Sequence, residues 1–151
     1  MISAAARQII EQFPLGFVAT VTAEGAPGLS PKGTFLILDD QTIAFAEIRS
    51  PQTIANLRGE SRVEVNFADI WKRKAVRVAG RAEIVERGDA RFEQMFPLWQ
   101  APFPTLADRI NHIVVITAEQ VGMMTTPPYD DGASEEEMIA LYSAKFKEIY
   151  P

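Results

Sequence analysis

The sequence contains no cysteine, and this absence excludes disulfide bonds, thiolate nucleophiles and metal centres with cysteine ligands. His112 is the single histidine, so one chain cannot build a site that needs several imidazole ligands, and we expect no metal centre. Long apolar runs are also missing, since none approaches the roughly 20 residues that a membrane helix needs. The N-terminal stretch to Phe13 lacks the unbroken apolar core of a secretion signal. We therefore expect a cytoplasmic protein with no membrane partner.

Basic residues are outnumbered, because 15 Lys and Arg stand against 20 Asp and Glu and give a formal net charge of −5. A surface of that sign repels polyanions, so we expect no nucleic-acid partner, and any basic site must be local. The chain has 151 residues, of which 47% are hydrophobic. That is enough for one domain with a core and too few for two ordinary domains, so we expect a single domain over residues 1–151.

Helical patterns occur near both ends of the sequence. Each begins at a serine that can cap a helix, and apolar residues follow at helical spacing. Shorter helical patterns interrupt the middle of the sequence after Ser50 and after Gly88. The predicted N-terminal and C-terminal helices are 3–13 and 134–149.

The remaining sequence consists mainly of short runs of β-branched and aromatic residues that alternate with turn residues. Short connections predict antiparallel neighbours, and the scarcity of helices between the runs favours a barrel over a doubly wound sheet. The glycine-rich fingerprints of nucleotide-binding α/β folds are missing. We therefore expect a mostly β fold with flanking helices, built as an antiparallel barrel of about six strands: 17–22, 29–38, 42–47, 62–67, 75–85 and 112–117.

The stretch from Ala46 to Asn56 is the first candidate binding site. A predicted strand leads through Arg49 directly into a helix start at Ser50 and Pro51. Because the amides at a helix N-terminus carry partial positive charge, Arg49 and the hydroxyls of Ser50 and Thr53 predict a phosphate cradle. The alternative is that Ser50 and Thr53 only cap the helix while Arg49 lies in solvent.

The segment Ser30-Pro31-Lys32-Gly33-Thr34 is the second candidate, because proline and glycine interrupt a predicted strand there. Such an interruption is typical of a bulge, an edge strand or a close approach by a ligand. Lys32 offers charge, Thr34 a hydroxyl, and Gly33 room for a flat ring against the backbone. The alternative is an edge strand that proline and lysine protect from aggregation.

The order of five motifs resembles that of the pyridoxamine 5′-phosphate oxidase-like FMN-binding split barrels. The motifs are Ala26-Pro27, SPKGTF, IAFAEIRSPQTIANLR, VEVNF and AVRVAGRAEI, and they cover about Phe17 to Val85. The resemblance implies a six-stranded antiparallel split β-barrel that forms a homodimer, with FMN in a groove between the subunits. It implies flavin or phosphate contacts in one subunit at Lys32, Gly33, Thr34, Ala46, Glu47, Arg49, Ser50 and Thr53, with Asn56 as a further candidate. The other subunit would contribute the neighbourhood of Lys74 to Arg77.

The resemblance also implies an oxidoreductase that transfers hydride or electrons between a nicotinamide donor and a small-molecule acceptor. The flavin ring carries that chemistry, so no side chain is assigned as catalytic. The main alternative is a non-enzymatic flavin-binding or related ligand-binding protein of the same fold. A haem-binding split barrel is the third alternative, and it is weakened because the chain has only one histidine. A deazaflavin in place of FMN stays open.

Two departures from the family pattern argue against vitamin B6 synthesis. The oxidases that form pyridoxal phosphate have a glutamine near the position of Ala75 and a C-terminal Trp and Arg-x-His segment. This sequence ends in FKEIYP, so we do not expect a true pyridoxamine phosphate oxidase. Trp71 and Trp99 could cover a flavin, but we expect them to pack in the core or an interface.

Overall fold

The computed structural model describes all 151 residues, Met1–Pro151, and contains one seven-stranded antiparallel sheet. The strand order is β2-β1-β5-β6-β7-β4-β3, so the two edge strands, β2 and β3, are consecutive in the chain. The sheet therefore curls so that the end of β2 and the start of β3 come together, which confirms the predicted split barrel with flanking helices. The strands are β1 Gly16–Val21, β2 Pro27–Lys32, β3 Phe35–Ile37, β4 Thr42–Glu47, β5 Arg62–Asp69, β6 Lys74–Glu86 and β7 His112–Thr125.

The strand count differs from the six expected, because the predicted strand over 29–38 is two strands. β2 pairs with β1, whereas β3 pairs with β4 at the other edge of the sheet, so the chain changes partners at Gly33 and Thr34. Thr34 replaces a ladder bond there: its hydroxyl donates to the Ala46 carbonyl (2.7 Å) and accepts from the Ala46 N–H (3.0 Å). This partner exchange, which periodicity alone does not reveal, connects the two edge strands of the sheet.

The last strand is also longer than predicted and runs to Thr125 rather than ending at Thr117. Its first half pairs with β4, and its whole length pairs with β6 across an irregularity between Ala79 and Gly80. A side chain at Gly80 would collide with the backbone carbonyl of Thr117, so glycine is required at this close approach. The long β6–β7 ladder joins the β2-β1-β5 part of the sheet to the β4-β3 part.

Helices cover the barrel at several points. Ser3 caps the first helix and Ser134 caps the last, each by accepting a backbone N–H at the third residue after it. None of the helices combines the length and the apolarity needed to cross a membrane. The helices are α1 Ala4–Gln12, α2 Pro51–Gly59, α3 Ala90–Met95, α4 Pro97–Gln100, α5 Pro127–Asp130 and α6 Glu135–Ile149, with a 3₁₀ turn at Ala107–Arg109.

Two apolar clusters hold the fold together, one inside the barrel and one under α3 and α4. Phe35, Phe45 and Phe67 pack ring against ring inside the barrel. Trp99 is fully buried in the second cluster, and its indole N–H donates to the carbonyl of Thr34 (2.8 Å). Trp99 is therefore a core residue that anchors the turn between β2 and β3.

Candidate functional site

The candidate site lies at the corner where β4 passes into α2. Ser50 is the N-cap residue of α2, but its side chain does not bond a helix amide. Its hydroxyl instead accepts a hydrogen bond from the ammonium of Lys32 (2.8 Å), which comes from the opposite edge of the barrel. The hydroxyl of Ser50 therefore joins the two segments that the sequence indicated separately.

The start of α2 presents two backbone amides that have no acceptor. The Ser50 N–H donates to Oε1 of Glu47 (2.5 Å), and Pro51 has no N–H. The amides of Gln52 and Thr53 follow, and neither donates to a backbone or side-chain acceptor. These two N–H groups lie at the positive end of the helix dipole and can bind an anion.

Lys32 is a buried cation held by neutral groups, with 8% of its surface exposed. Its ammonium donates to the hydroxyls of Ser30 (2.6 Å) and Ser50 (2.8 Å), and no carboxylate oxygen lies within 4.0 Å of it. Burial lowers the pKa of Lys32 below its usual value, and the charge of Glu47 partly opposes that change. An anion beside Lys32 would offset the cost of burying its charge.

The other predicted phosphate ligands lie on two different sides of α2, because successive residues of a helix are rotated by about 100°. Thr53 and Asn56 lie on the buried face towards β1, where the Asn56 amide donates to the Thr20 hydroxyl (2.9 Å) and accepts from Gln52 (2.7 Å). Asn56 thus has both ends of its amide bonded within the chain. Arg49 is exposed and lies on the opposite side of the helix start.

A groove of about 520 Å³ runs along this second face, between α2 and the beginning of β7. His112 lies at one end of it, with Nδ1 2.6 Å from Glu47 and Nε2 3.2 Å from Glu86. Glu86 also pairs with Arg58 (2.5 Å). The groove is lined by Glu47, Ile48, Arg49, Pro51, Ile54, Ala55, Arg58, Arg109, Asn111 and His112.

The predicted residues at the edge of the barrel have structural partners. Thr34 and Ala46 bond each other, and Glu47, only 3% exposed, holds both the Ser50 amide and His112. Gly33 is exposed at the turn between β2 and β3, and nothing lies within 4 Å of the position that a Cβ would occupy. Gly33 therefore leaves open space beside Lys32.

The residues Lys74 and Arg77 lie far from this corner within one chain. Nine positions of β6 separate Arg77 from Glu86, which is roughly 30 Å of strand. Lys74 donates to Glu135 of α6 (2.7 Å), and this bond raises the pKa of Lys74; Arg77 pairs with Glu64. Both cations thus have carboxylate partners and can meet the α2 corner only from another chain.

Sequence reasoning missed three features of this site. Ser30 was part of a named segment, but its role as a partner of Lys32 depends on the curl of the sheet. The sequence assigns His112 no partner in the site, whereas it contacts two carboxylates, those of Glu47 in β4 and Glu86 in β6. Arg109 had no sequence signal, because its position in the groove depends on the path of the loop before β7.

Comparison with known proteins identifies the family to which this arrangement corresponds. The sequence profile described as pyridoxamine 5′-phosphate oxidase matches residues 2–125. No curated protein matches the sequence.

Solved structures share the fold. HupZ of Group A Streptococcus is 26% identical, with a TM-score of 0.72 over 83% of this chain and 96% of that chain. A Lactobacillus delbrueckii protein named provisionally as a pyridoxamine 5′-phosphate oxidase is 25% identical, with a TM-score of 0.67 over 80% of this chain and 92% of that chain. An FMN-binding protein of Syntrophomonas wolfei is 14% identical, with a TM-score of 0.64 over 80% and 84%, and shows the fold alone.

Proposed function

The chain belongs to the pyridoxamine 5′-phosphate oxidase family, and from that premise we propose that it binds FMN with the flavin phosphate at the start of α2. One observation carries the proposal: the buried Lys32, which has no carboxylate partner, meets the N-cap hydroxyl of a helix whose next two amides are free. A phosphate supplies the acceptor oxygens and the negative charge that these groups lack. Arg49 adds a second cation from the other side of the helix start.

The surrounding bonds keep these groups in position before a ligand binds. Ser30 and Ser50 hold the ammonium of Lys32, and Glu47 fixes the backbone of Ser50 through its amide. The Asn56 amide ties α2 to β1, so the helix start cannot swing away from the barrel. Such preorganisation lowers the conformational entropy lost on binding.

The proposed activity is that of an oxidoreductase that takes hydride from a nicotinamide donor and reduces a small acceptor. When bound, FMN supplies the hydride and electron transfer at its ring. The residues of this chain hold the phosphate and shape access to the ring. We expect the FMN-loaded protein to oxidise NADH or NADPH faster than free FMN does, as followed by nicotinamide absorbance with and without acceptors. Tight FMN binding without any turnover would favour the non-enzymatic alternative.

We propose that the working form is a two-fold dimer with the flavin between subunits. The outward positions of β1 and β2 are uniformly apolar: Phe17, Ala19, Val21, Pro27, Leu29 and Pro31. Leu29 is 71% exposed and Phe17 42% exposed, which is unusual for a sheet face in solvent. A second copy on this face would bury them and could bring its own Lys74 and Arg77 towards the flavin.

The dimer is tested by Leu29→Asp. A buried aspartate would cost several kcal/mol at an interface, so we expect the mass from light scattering to fall from two chains to one, with loss of FMN. Ile149→Asp is the matched control, because Ile149 is also exposed, at 62%, but lies at the end of α6. A wild-type mass of one chain, in a sample that retains stoichiometric FMN, would contradict the shared groove.

The buried charge of Lys32 predicts a pH dependence of stability. Because its pKa is lowered in the folded protein, the unfolded chain binds that proton more tightly, and the charge opposes folding below the lowered pKa. The unfolding free energy of the apo-protein should therefore rise with pH between the lowered pKa and the ordinary value of 10.5. Lys32→Met should remove this increment while other titrating groups remain, and denaturant titrations of both proteins across that range measure the difference. Identical pH profiles would show that Lys32 carries no such penalty.

A further inference from the structure

The arginines of this chain divide into those with a partner and those without. Six of them pair with a carboxylate: Arg7, Arg58, Arg62, Arg77, Arg81 and Arg91. Arg87 donates to the carbonyl of Ile110, and Arg73 lies over the ring of Tyr142. Arg49 and Arg109 have neither an ion pair nor a hydrogen bond, and they are 60 positions apart in the chain. Both line the groove beside α2.

Hydrogen bonds join the two backbone segments that carry these arginines. Asn111 donates its N–H to the carbonyl of Glu47 (2.8 Å) and its side-chain amide to the carbonyl of Ile48 (2.7 Å). These two bonds join the segment that follows Arg109 to the segment that precedes Arg49. The backbone segments that carry the two arginines are therefore joined by the fold rather than left to flexible loops.

The 3₁₀ turn that carries Arg109 is itself anchored. Ala107 and Ile110 are buried at 4% and 1% exposure, and the guanidinium of Arg87 donates to the Ile110 carbonyl (2.9 Å from Nε). Arg109 and its neighbour Asp108 are the exposed residues of this turn. The exposure of Arg109 is thus not a consequence of a loosely attached loop.

The carboxylates in and beside the groove have partners other than the two arginines. Glu47 accepts from the Ser50 amide and contacts His112, and Glu86 pairs with Arg58. No carboxylate oxygen comes within 4.0 Å of Arg49 or Arg109, so both keep their charge free for a ligand. Two guanidinium groups at one groove match the charge and the oxygen geometry of a phosphate dianion.

We propose that Arg109 and Arg49 bind the same phosphate group, that of FMN, so that Arg109 is a further phosphate ligand from the loop before β7. This inference rests on the proposed function. In this arrangement Lys32 and the free amides of α2 approach the phosphate from the barrel, and the two arginines approach it from the groove.

The test is an equilibrium titration of Arg109→Ala with FMN and with riboflavin, which lacks the phosphate. We expect FMN affinity to fall at least about tenfold and riboflavin affinity to stay at the wild-type value. Arg109→Lys should recover only part of the loss, because an ammonium keeps the charge but not the fork of donors. Lys147→Ala is the matched control, since it removes another exposed and unpaired cation, from α6.

A double-mutant cycle with Arg49→Ala separates a shared phosphate from two independent effects. If both arginines hold one group, the loss in the double variant should differ from the product of the single losses, whereas independent charges should multiply. Wild-type FMN affinity in Arg109→Ala, or equal losses for FMN and riboflavin, would overturn the inference. A wild-type protein that binds FMN no better than riboflavin would instead overturn the proposed function, and the inference with it.

Discussion

Arg49→Ala should weaken FMN binding roughly 10- to 150-fold, because the substitution removes charge-assisted hydrogen bonds worth about 1.5 to 3 kcal/mol. Arg49 makes no ion pair or hydrogen bond within the chain, so nothing competes with a phosphate for its guanidinium. It also lies one residue before the N-cap of α2, beside the two free amides. The measurement is a titration of apo-protein with FMN, followed by flavin fluorescence.

Riboflavin is the control that identifies what Arg49 contacts. Both proteins should bind riboflavin equally, and the thermal midpoint of the apo-protein should hardly change, because an exposed arginine contributes little to folding. Equal FMN affinities would reject Arg49 as a phosphate ligand. An equal loss for both flavins would indicate a distorted groove instead.

Trp99→Ala should destabilise the protein by about 3 to 5 kcal/mol, the usual cost of truncating a large buried aromatic residue. Trp99 is fully buried, and its loss would also leave the carbonyl of Thr34 without its indole donor. For a chain of this size the thermal midpoint should fall by roughly 6 to 20 °C. Calorimetry of wild type and variant measures both quantities.

Two companion variants show whether this loss comes from burial or from the hydrogen bond. Trp99→Phe keeps most of the apolar volume but no donor, so its cost should lie well below that of Trp99→Ala. Leu98→Ala is the matched control, because Leu98 precedes Trp99 in α4 and is 51% exposed; its effect should stay within about 0.5 kcal/mol. A wild-type midpoint for Trp99→Ala would contradict a core role and reopen a role at the flavin.

The local sequence pattern was sufficient to predict most strands of the barrel, because strands such as β5 have a buried residue at every second position. It was insufficient at Gly33 and Thr34, where the chain exchanges one partner strand for another. The spacing of apolar residues does not indicate which strand pairs with a given strand. The same limit explains why β7 is longer than expected, since its second half is mostly exposed and lacks a continuous apolar run.

The candidate site was predictable to the extent that it is local. Arg49, Ser50 and the helix start are adjacent in the chain, and Lys32 carried a signal through its unusual strand. The side on which each residue lies follows from helix geometry: at about 100° per residue, Asn56 lies about 160° around α2 from both Ile54 and Arg58, on the face away from the groove. Arg109 is placed at the groove by tertiary contacts, among them the bonds of Asn111 and of Arg87, and such contacts leave no pattern in sequence.

The most direct test of the account is an equilibrium titration of the wild-type apo-protein with FMN and riboflavin in parallel. The account predicts saturable, stoichiometric binding of FMN and an affinity for riboflavin that is lower by at least about 100-fold, because Lys32, Arg49 and the two amides of α2 act on the phosphate alone. Equal affinities for the two flavins, or no saturable binding of FMN, would contradict it.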